Sequence, residues 1–170
     1  MPEIVINTGP VIALVAATGS LGWLSQLYAR VWIPHEVQAE IAAGGPGVPE
    51  LAALHHAGDV IRFQPASTNL PRVLIRELDL GEASVIHTAL ERKIGTVAID
   101  EKTGRRVARL HGLKVTGSIG ILVKAKQQGQ VASLADCLRQ MRNKGIWISE
   151  GLVRQALAAV GEAAGDFLSS

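Results

Sequence analysis

The chain is predicted to be a single-domain α/β protein with a mostly parallel sheet covered by helices on both faces. Three observations predict this. Short apolar runs, Ile4-Val5-Ile6, Val31-Trp32-Ile33 and Val97-Ala98-Ile99, are separated by stretches with helical spacing, and strands joined through single helices build right-handed units of a parallel sheet. At 170 residues, 48% hydrophobic and 19% charged, the chain can bury one full core and is too apolar to be disordered. Polar and acidic residues cluster where those runs stop: Asn7 after the first, Asp100 and Glu101 after the last. In parallel sheets ligands gather outside the carboxyl ends of the strands.

The elements follow in order. Ile4 to Ile6 reads as a buried strand. Pro10 to Ala17 starts a helical hairpin continued by Leu21, Leu24, Leu27 and Tyr28, with Ser20 as N-cap. Val31 to Ile33 is a second strand. Pro34, at a helix N1 position, opens 34–43, which Gly44-Gly45-Pro46-Gly47 ends. Residues 49–57 form a short helix, 59–63 a strand and 64–71 a loop. Residues 81–93 form a helix, 96–99 a strand, 102–111 a helix, 113–115 a strand and 119–128 a helix. Helices over 134–143 and 151–159 follow, with a short strand at 146–148 between them. No internal repeat, low-complexity tract or linker divides the chain.

Composition narrows the function classes. No apolar run approaches the roughly 18 residues a membrane helix needs, and the N-terminus lacks a basic, leader-like pattern, so a cytoplasmic protein is expected. Cys137, the one cysteine, lies among Leu134, Leu138 and Met141 at helical spacing. It is expected to be a buried thiol without redox chemistry. The five histidines have no cysteine partners and no zinc spacing. Trp23, Trp32 and Trp147 sit in apolar surroundings and are expected to be core anchors.

The net charge of +2 conceals an asymmetry: residues 1–100 hold 6 Lys/Arg against 10 Asp/Glu, and residues 101–144 hold 10 against 2. Lys102, Arg105, Arg106 and Arg109 are spaced i, i+3, i+4, i+7 and line one helix face. That face is either a solvated surface or an electrostatic footprint for a phosphate backbone beside an acidic pocket.

The segments Val5-Ile6-Asn7-Thr8-Gly9-Pro10-Val11-Ile12-Ala13-Leu14, Pro34-His35-Glu36-Val37-Gln38-Ala39-Glu40, Leu78-Asp79-Leu80-Gly81-Glu82-Ala83, Ile99-Asp100-Glu101-Lys102 with Arg105-Arg106-Val107-Ala108, and Val115-Thr116-Gly117-Ser118-Ile119-Gly120 resemble the PIN-domain family. They are most similar to its prokaryotic VapC-like branch. The resemblance implies a three-layer α/β/α sandwich over residues 1–162, with 163–170 as a C-terminal tail. It also implies an Mg²⁺- or Mn²⁺-dependent endoribonuclease, often the toxin of a toxin–antitoxin pair. An RNA substrate, a cognate antitoxin and a homodimer follow as expected partners. The family's acids fall on Asn7, Glu40, Glu82, Asp100 and Glu101. Two positions depart from the usual aspartates: Glu101 is longer by one methylene, and Asn7 removes a charge.

These residue types suit phosphodiester hydrolysis. A hard cation held by clustered oxygens binds a phosphate oxygen and acidifies water, and an amide oxygen can still serve as a ligand. Asn7, Glu82, Asp100 and Glu101 are the candidate metal ligands, with Glu40 at the edge and the hydroxyls of Thr8 and Ser118 as secondary candidates. Each has a plainer alternative. Asp79-Leu80-Gly81-Glu82 fits a capping box, Asp100 an N-cap and Glu101 a first-turn acid. Glu40 fits a solvated surface, and Asn7 a turn former. Two other functions stay open. A non-catalytic RNA-binding module would keep the fold and the basic face. A phosphoryl-accepting receiver is disfavoured because no acid pair follows the first strand. The apolar positions of 131–141 and 151–160 exceed what a small sheet needs and are expected to pair two copies.

Overall fold

The computed structural model of the protein describes residues 1–168. Its strands are β1 (Glu3–Ile6), β2 (Arg30–Pro34), β3 (Ile61–Gln64), β4 (Thr96–Ala98) and β5 (Lys114–Thr116). They form one sheet in the order β3-β2-β1-β4-β5, and every pairing is parallel. The helices are α1 (Thr8–Thr18), α2 (His35–Ala42), α3 (Pro49–His56), α4 (Arg72–Glu77), α5 (Leu80–Glu91), α6 (Lys102–Leu110), α7 (Ser118–Gln127), α8 (Leu134–Asn143), α9 (Glu150–Ala159) and α10 (Gly165–Leu168). The fold is the expected α/β/α sandwich with a fully parallel sheet.

Burial explains the order of the strands. Successive side chains of a strand point to opposite faces, and Ile4, Val5 and Ile6 are all buried, so β1 is covered on both sides as a central parallel strand must be. The edge strands are more polar: β5 reads Lys-Val-Thr with none of the three buried. Helix α5 packs across β1, β2 and β4, with α2 against it, while α1 packs against α7 and α8. Seven of the eleven residues of α1 are buried, so this helix belongs to the core, and Gly19 ends it with a left-handed φ of 73° while donating to the Val15 carbonyl.

Several expectations need correction. The second arm of the hairpin is a 3₁₀ turn, Gly22–Gln26, with Leu21 as its N-cap, not a helix capped by Ser20. Pro34 closes β2 in register with Gln64 and precedes α2 with an extended ψ of 150°. Proline tolerates a strand end because that position needs no N–H, and it leaves the helix to begin one residue later. The third strand begins only at Ile61, because residues 58–60 make a 3₁₀ turn. Helix α4 has no counterpart among the expected elements, since its six residues bury only Leu74 and show no period. Residues 146–148 form no strand, and Trp147 is 85% exposed. Its neighbours Ile146 and Ile148 point inward, which turns Trp147 outward. Trp32 is buried as expected, its Nε1 donating to Glu3 at 2.6 Å, and Cys137 is a buried free thiol whose pKa burial pushes up.

The apolar stripes expected to pair two copies are used inside the chain. Leu134, Cys137, Leu138 and Met141 of α8, and Val153, Ala156 and Leu157 of α9, are buried, and α8 packs on α1 and α9. Phe167 lies within the segment expected to be a tail. It is fully buried, with the Arg142 guanidinium 4.3 Å from its ring centre.

Candidate active site

The chain winds outward from β1 through β2 to β3, then returns to place β4 on the other side of β1 and β5 beyond it. The reversal opens a crevice at the carboxyl ends of β1 and β4, the position where open parallel sheets bind ligands. The backbone stitches this crevice shut underneath. Asn7 N–H donates to the Ala98 carbonyl, and Ile99 N–H to that of Thr116, each at 3.0 Å.

Asn7 stands at the N-cap of α1 in extended backbone, but its side chain makes no capping bond. The residue is buried and its Oδ1 has no hydrogen-bond partner. Buried polar atoms are nearly always paired, so neither a cap nor a turn accounts for this carboxamide.

Glu82 enters from α5. Asp79 caps that helix by accepting the Glu82 N–H at 2.8 Å, the first of the two bonds of a capping box. That bond does not exhaust the residue: Glu82 is 6% exposed and its Oε1 has no partner. Burial raises the Glu82 carboxyl above the ordinary range, and repulsion from Asp79 adds to this. The Asp79 backbone N–H opposes the rise, while Glu101 and Glu40 reinforce it. Asp79, Glu101 and Glu40 are therefore the acids in electrostatic reach of Glu82.

Asp100 has one oxygen engaged. Its Oδ1 accepts the N–H of Ser118, the first residue of α7, at 2.8 Å. The N-cap position of α6 belongs instead to Glu101, whose exposed side chain makes no capping bond. Asp100 thus binds the start of the helix after its own, which ties the ends of β4 and β5 together. Ser118 enters this contact through its backbone. Thr8 Oγ1 donates to Glu40 Oε2 at 2.5 Å, and Gly81 N–H donates to Glu40 Oε1 at 3.0 Å, so Glu40 is engaged rather than merely solvated.

The basic face divides in two. Arg105 is half-buried, and its Nη1 donates to the Ile99 carbonyl at 2.8 Å. Burial and the neighbouring Arg109 lower its pKa, and Asp100 opposes that. Arg106 pairs with Glu77 of α4 at 2.7 Å. Lys102 and Arg109 are exposed and carry the outward charge.

Three glycines were not singled out from sequence, and each admits a carboxylate. A Cβ on Gly81 would lie 2.5 Å from Glu40 Oε1, one on Gly104 2.7 Å from Glu82 Oε1, and one on Gly117 2.6 Å from Asp100 Oδ1. Their signal in the sequence was faint: each occurs in or beside the first turn of a helix that starts at the carboxyl edge of the sheet. Among the described residues, no group of three or more His, Cys, Asp or Glu side chains is placed to hold a metal ion. The two unpartnered buried oxygens, Asn7 Oδ1 and Glu82 Oε1, are nevertheless hard donors of the kind Mg²⁺ and Mn²⁺ take.

A family model described as a PIN domain matches residues 3–162. No curated protein and no solved structure matches the chain. Among the described residues, no helix is long and apolar enough to cross a membrane.

Proposed function

Because the chain belongs to the PIN-domain family, whose members are generally nucleases, we propose that it is a divalent-metal-dependent endoribonuclease acting on cytoplasmic RNA at the β1–β4 crevice. The nuclease unit is residues 1–162, and its role is the toxin of a toxin–antitoxin pair. The observation that carries this reading is the pair of unpartnered buried oxygens, Asn7 Oδ1 and Glu82 Oε1, at the switch point of the sheet.

Asn7, Glu82, Asp100 and Glu101 would hold Mg²⁺ or Mn²⁺, whose chemistry there is to neutralise phosphate charge and acidify the attacking water. Glu82 supplies a carboxylate in a pocket with little water, where an attraction counts for more than at the surface. Asp100 is aimed by the Ser118 N–H, and Arg105 fixes the Ile99 carbonyl just before it. Lys102 and Arg109 draw the RNA backbone to the rim. In the overall change, water adds its oxygen to phosphorus, one P–O ester bond breaks, and the leaving oxygen takes a proton.

Pairing with a cognate antitoxin and with a second copy of the chain is part of the same proposal and is supported by the family resemblance. A second reading, an RNA-binding module without turnover, is favoured by the carboxamide of Asn7, which leaves the crevice one charge short.

Incubation of single-stranded RNA with the protein, in Mn²⁺ and in EDTA, separates the two. Cleavage is expected in Mn²⁺ alone, and Glu82→Gln and Asp100→Asn should abolish it while RNA binding in EDTA persists. If neither the parent nor Asn7→Asp cleaves RNA in Mn²⁺, the catalytic reading is lost and the binding module stands.

A further inference from the structure

We infer that Glu40 is a positioning residue: its carboxylate is a strut that sets the spacing between Asn7 and Glu82 and is not itself a ligand. The inference rests on the proposed metal site. One oxygen of Glu40 accepts from Thr8 Oγ1 and the other from Gly81 N–H. Thr8 is the chain neighbour of Asn7, and Gly81 that of Glu82. A single side chain on α2 therefore ties together the first turns of α1 and α5, at the two residues adjoining the unpartnered buried oxygens. Asn7 and Glu82 each leave an oxygen free for a ligand, whereas both Glu40 oxygens already have donors.

Gly81 fits the same purpose. Any side chain there would begin 2.5 Å from Glu40 Oε1 and 2.6 Å from Oε2, closer than real Cβ contacts, so the carboxylate would swing out and lose both bonds. Elsewhere in a first turn glycine would be a poor choice, because it costs backbone entropy. Here its missing side chain makes room for the strut.

The strut and ligand roles differ in what glutamine does. Glutamine keeps an acceptor for Gly81 N–H and a group that bonds the Thr8 hydroxyl, but removes the charge a cation would need. Mn²⁺ titrations by calorimetry on the full chain should therefore give Glu40→Gln an affinity within about threefold of the parent. Glu40→Ala and Gly81→Ala should lose about 10- to 100-fold, the usual effect of removing a group that orients a ligand. Thr8→Val should fall in the same direction, with Thr8→Ser restoring the parent value. Equal losses in Glu40→Gln and Glu40→Ala would make Glu40 a ligand and overturn the inference.

A metal-free readout covers the case in which no ion binds. In a Glu40→Ala background, Gly81→Ala should raise the melting temperature, as an ordinary helical glycine-to-alanine change does. In the parent background that rise should be absent or reversed. The same shift in both backgrounds would overturn the strut. Unchanged Mn²⁺ affinity in Glu82→Gln would instead overturn the metal site and leave the strut to the melting experiment.

Discussion

Asn7 places a carboxamide where the crevice otherwise collects carboxylates, and the exchange with aspartate changes charge at nearly constant shape. In the protein as it stands, the unpartnered Oδ1 contributes a dipole to the pocket, while Asp79, Glu101 and Glu40 already repel Glu82 there. Asn7→Asp should tighten Mn²⁺ binding by roughly tenfold, equivalent to about 1.4 kcal/mol of added attraction. It should also lower the melting temperature of the metal-free protein, because a further like charge is confined with nothing to neutralise it. Calorimetry and thermal melts in EDTA measure the two effects, and equal affinity in both proteins would remove Asn7 from the ligand set. At this scale the sequence showed which polar residues stand at the ends of the central strands but not which way they point. Asp100 and Glu101 are adjacent in the chain, yet one turns to α7 and the other lies within reach of Glu82. Glu40 looked most like a solvated acid because both of its donors come from segments more than 30 residues away.

Among the elements, α8 shows how a helix start is completed by distant chain. Ser133 caps it by accepting the Asp136 N–H, and Glu162 accepts the N–H groups of Leu134 and Ala135 at 2.7 and 2.8 Å. Burial pushes the Glu162 carboxyl up, but those two N–H groups and the Lys126 ammonium outweigh it and hold the pKa below its ordinary value of 4.5. A lowered folded-state pKa contributes stability above the unfolded value, and that contribution is lost as pH falls through the folded one. Glu162→Ala should therefore destabilise the protein at pH 7 by about 1 kcal/mol, a typical cost for a lost cap. The gap from the parent should close below about pH 4.5 in urea melts run as a pH series. Long periodic elements such as α5, α6 and α8 were legible from spacing alone. The short ones were not: α4 buries one side chain, and Pro34 fits a strand end as well as a helix start. Trp147 was misplaced because two inward isoleucines on either side turn an apolar residue out to solvent.

Across the whole molecule, the positive charge of residues 101–144 is partly consumed by the fold. Arg105 holds the Ile99 carbonyl, Arg106 pairs with Glu77, and Arg142 and Lys124 lie over the rings of Phe167 and Tyr28. The outward share of the α6 face is Lys102 and Arg109. Lys102→Glu with Arg109→Glu should weaken RNA binding in EDTA and flatten its dependence on log salt by about one unit per lost phosphate contact. Fluorescence titrations at several salt concentrations test this, and an unchanged slope would make the face a solvated one. The parallel order of the sheet was readable from alternating strands and helices, whereas the internal use of the α8 and α9 stripes was not, because periodicity shows a buried face without naming what buries it. That same order governs when the crevice can exist. Val5 and Ile6 pair with Val97 and Ala98, more than 90 residues away, and Asp100 then waits for Ser118. Contacts so distant in sequence carry a large loop-closure cost and cannot form until both strands exist, so most of the chain must be synthesised before the pocket closes. Stopped-flow refolding should show Mn²⁺ competence appearing only in the slowest phase, after most tryptophan burial is complete.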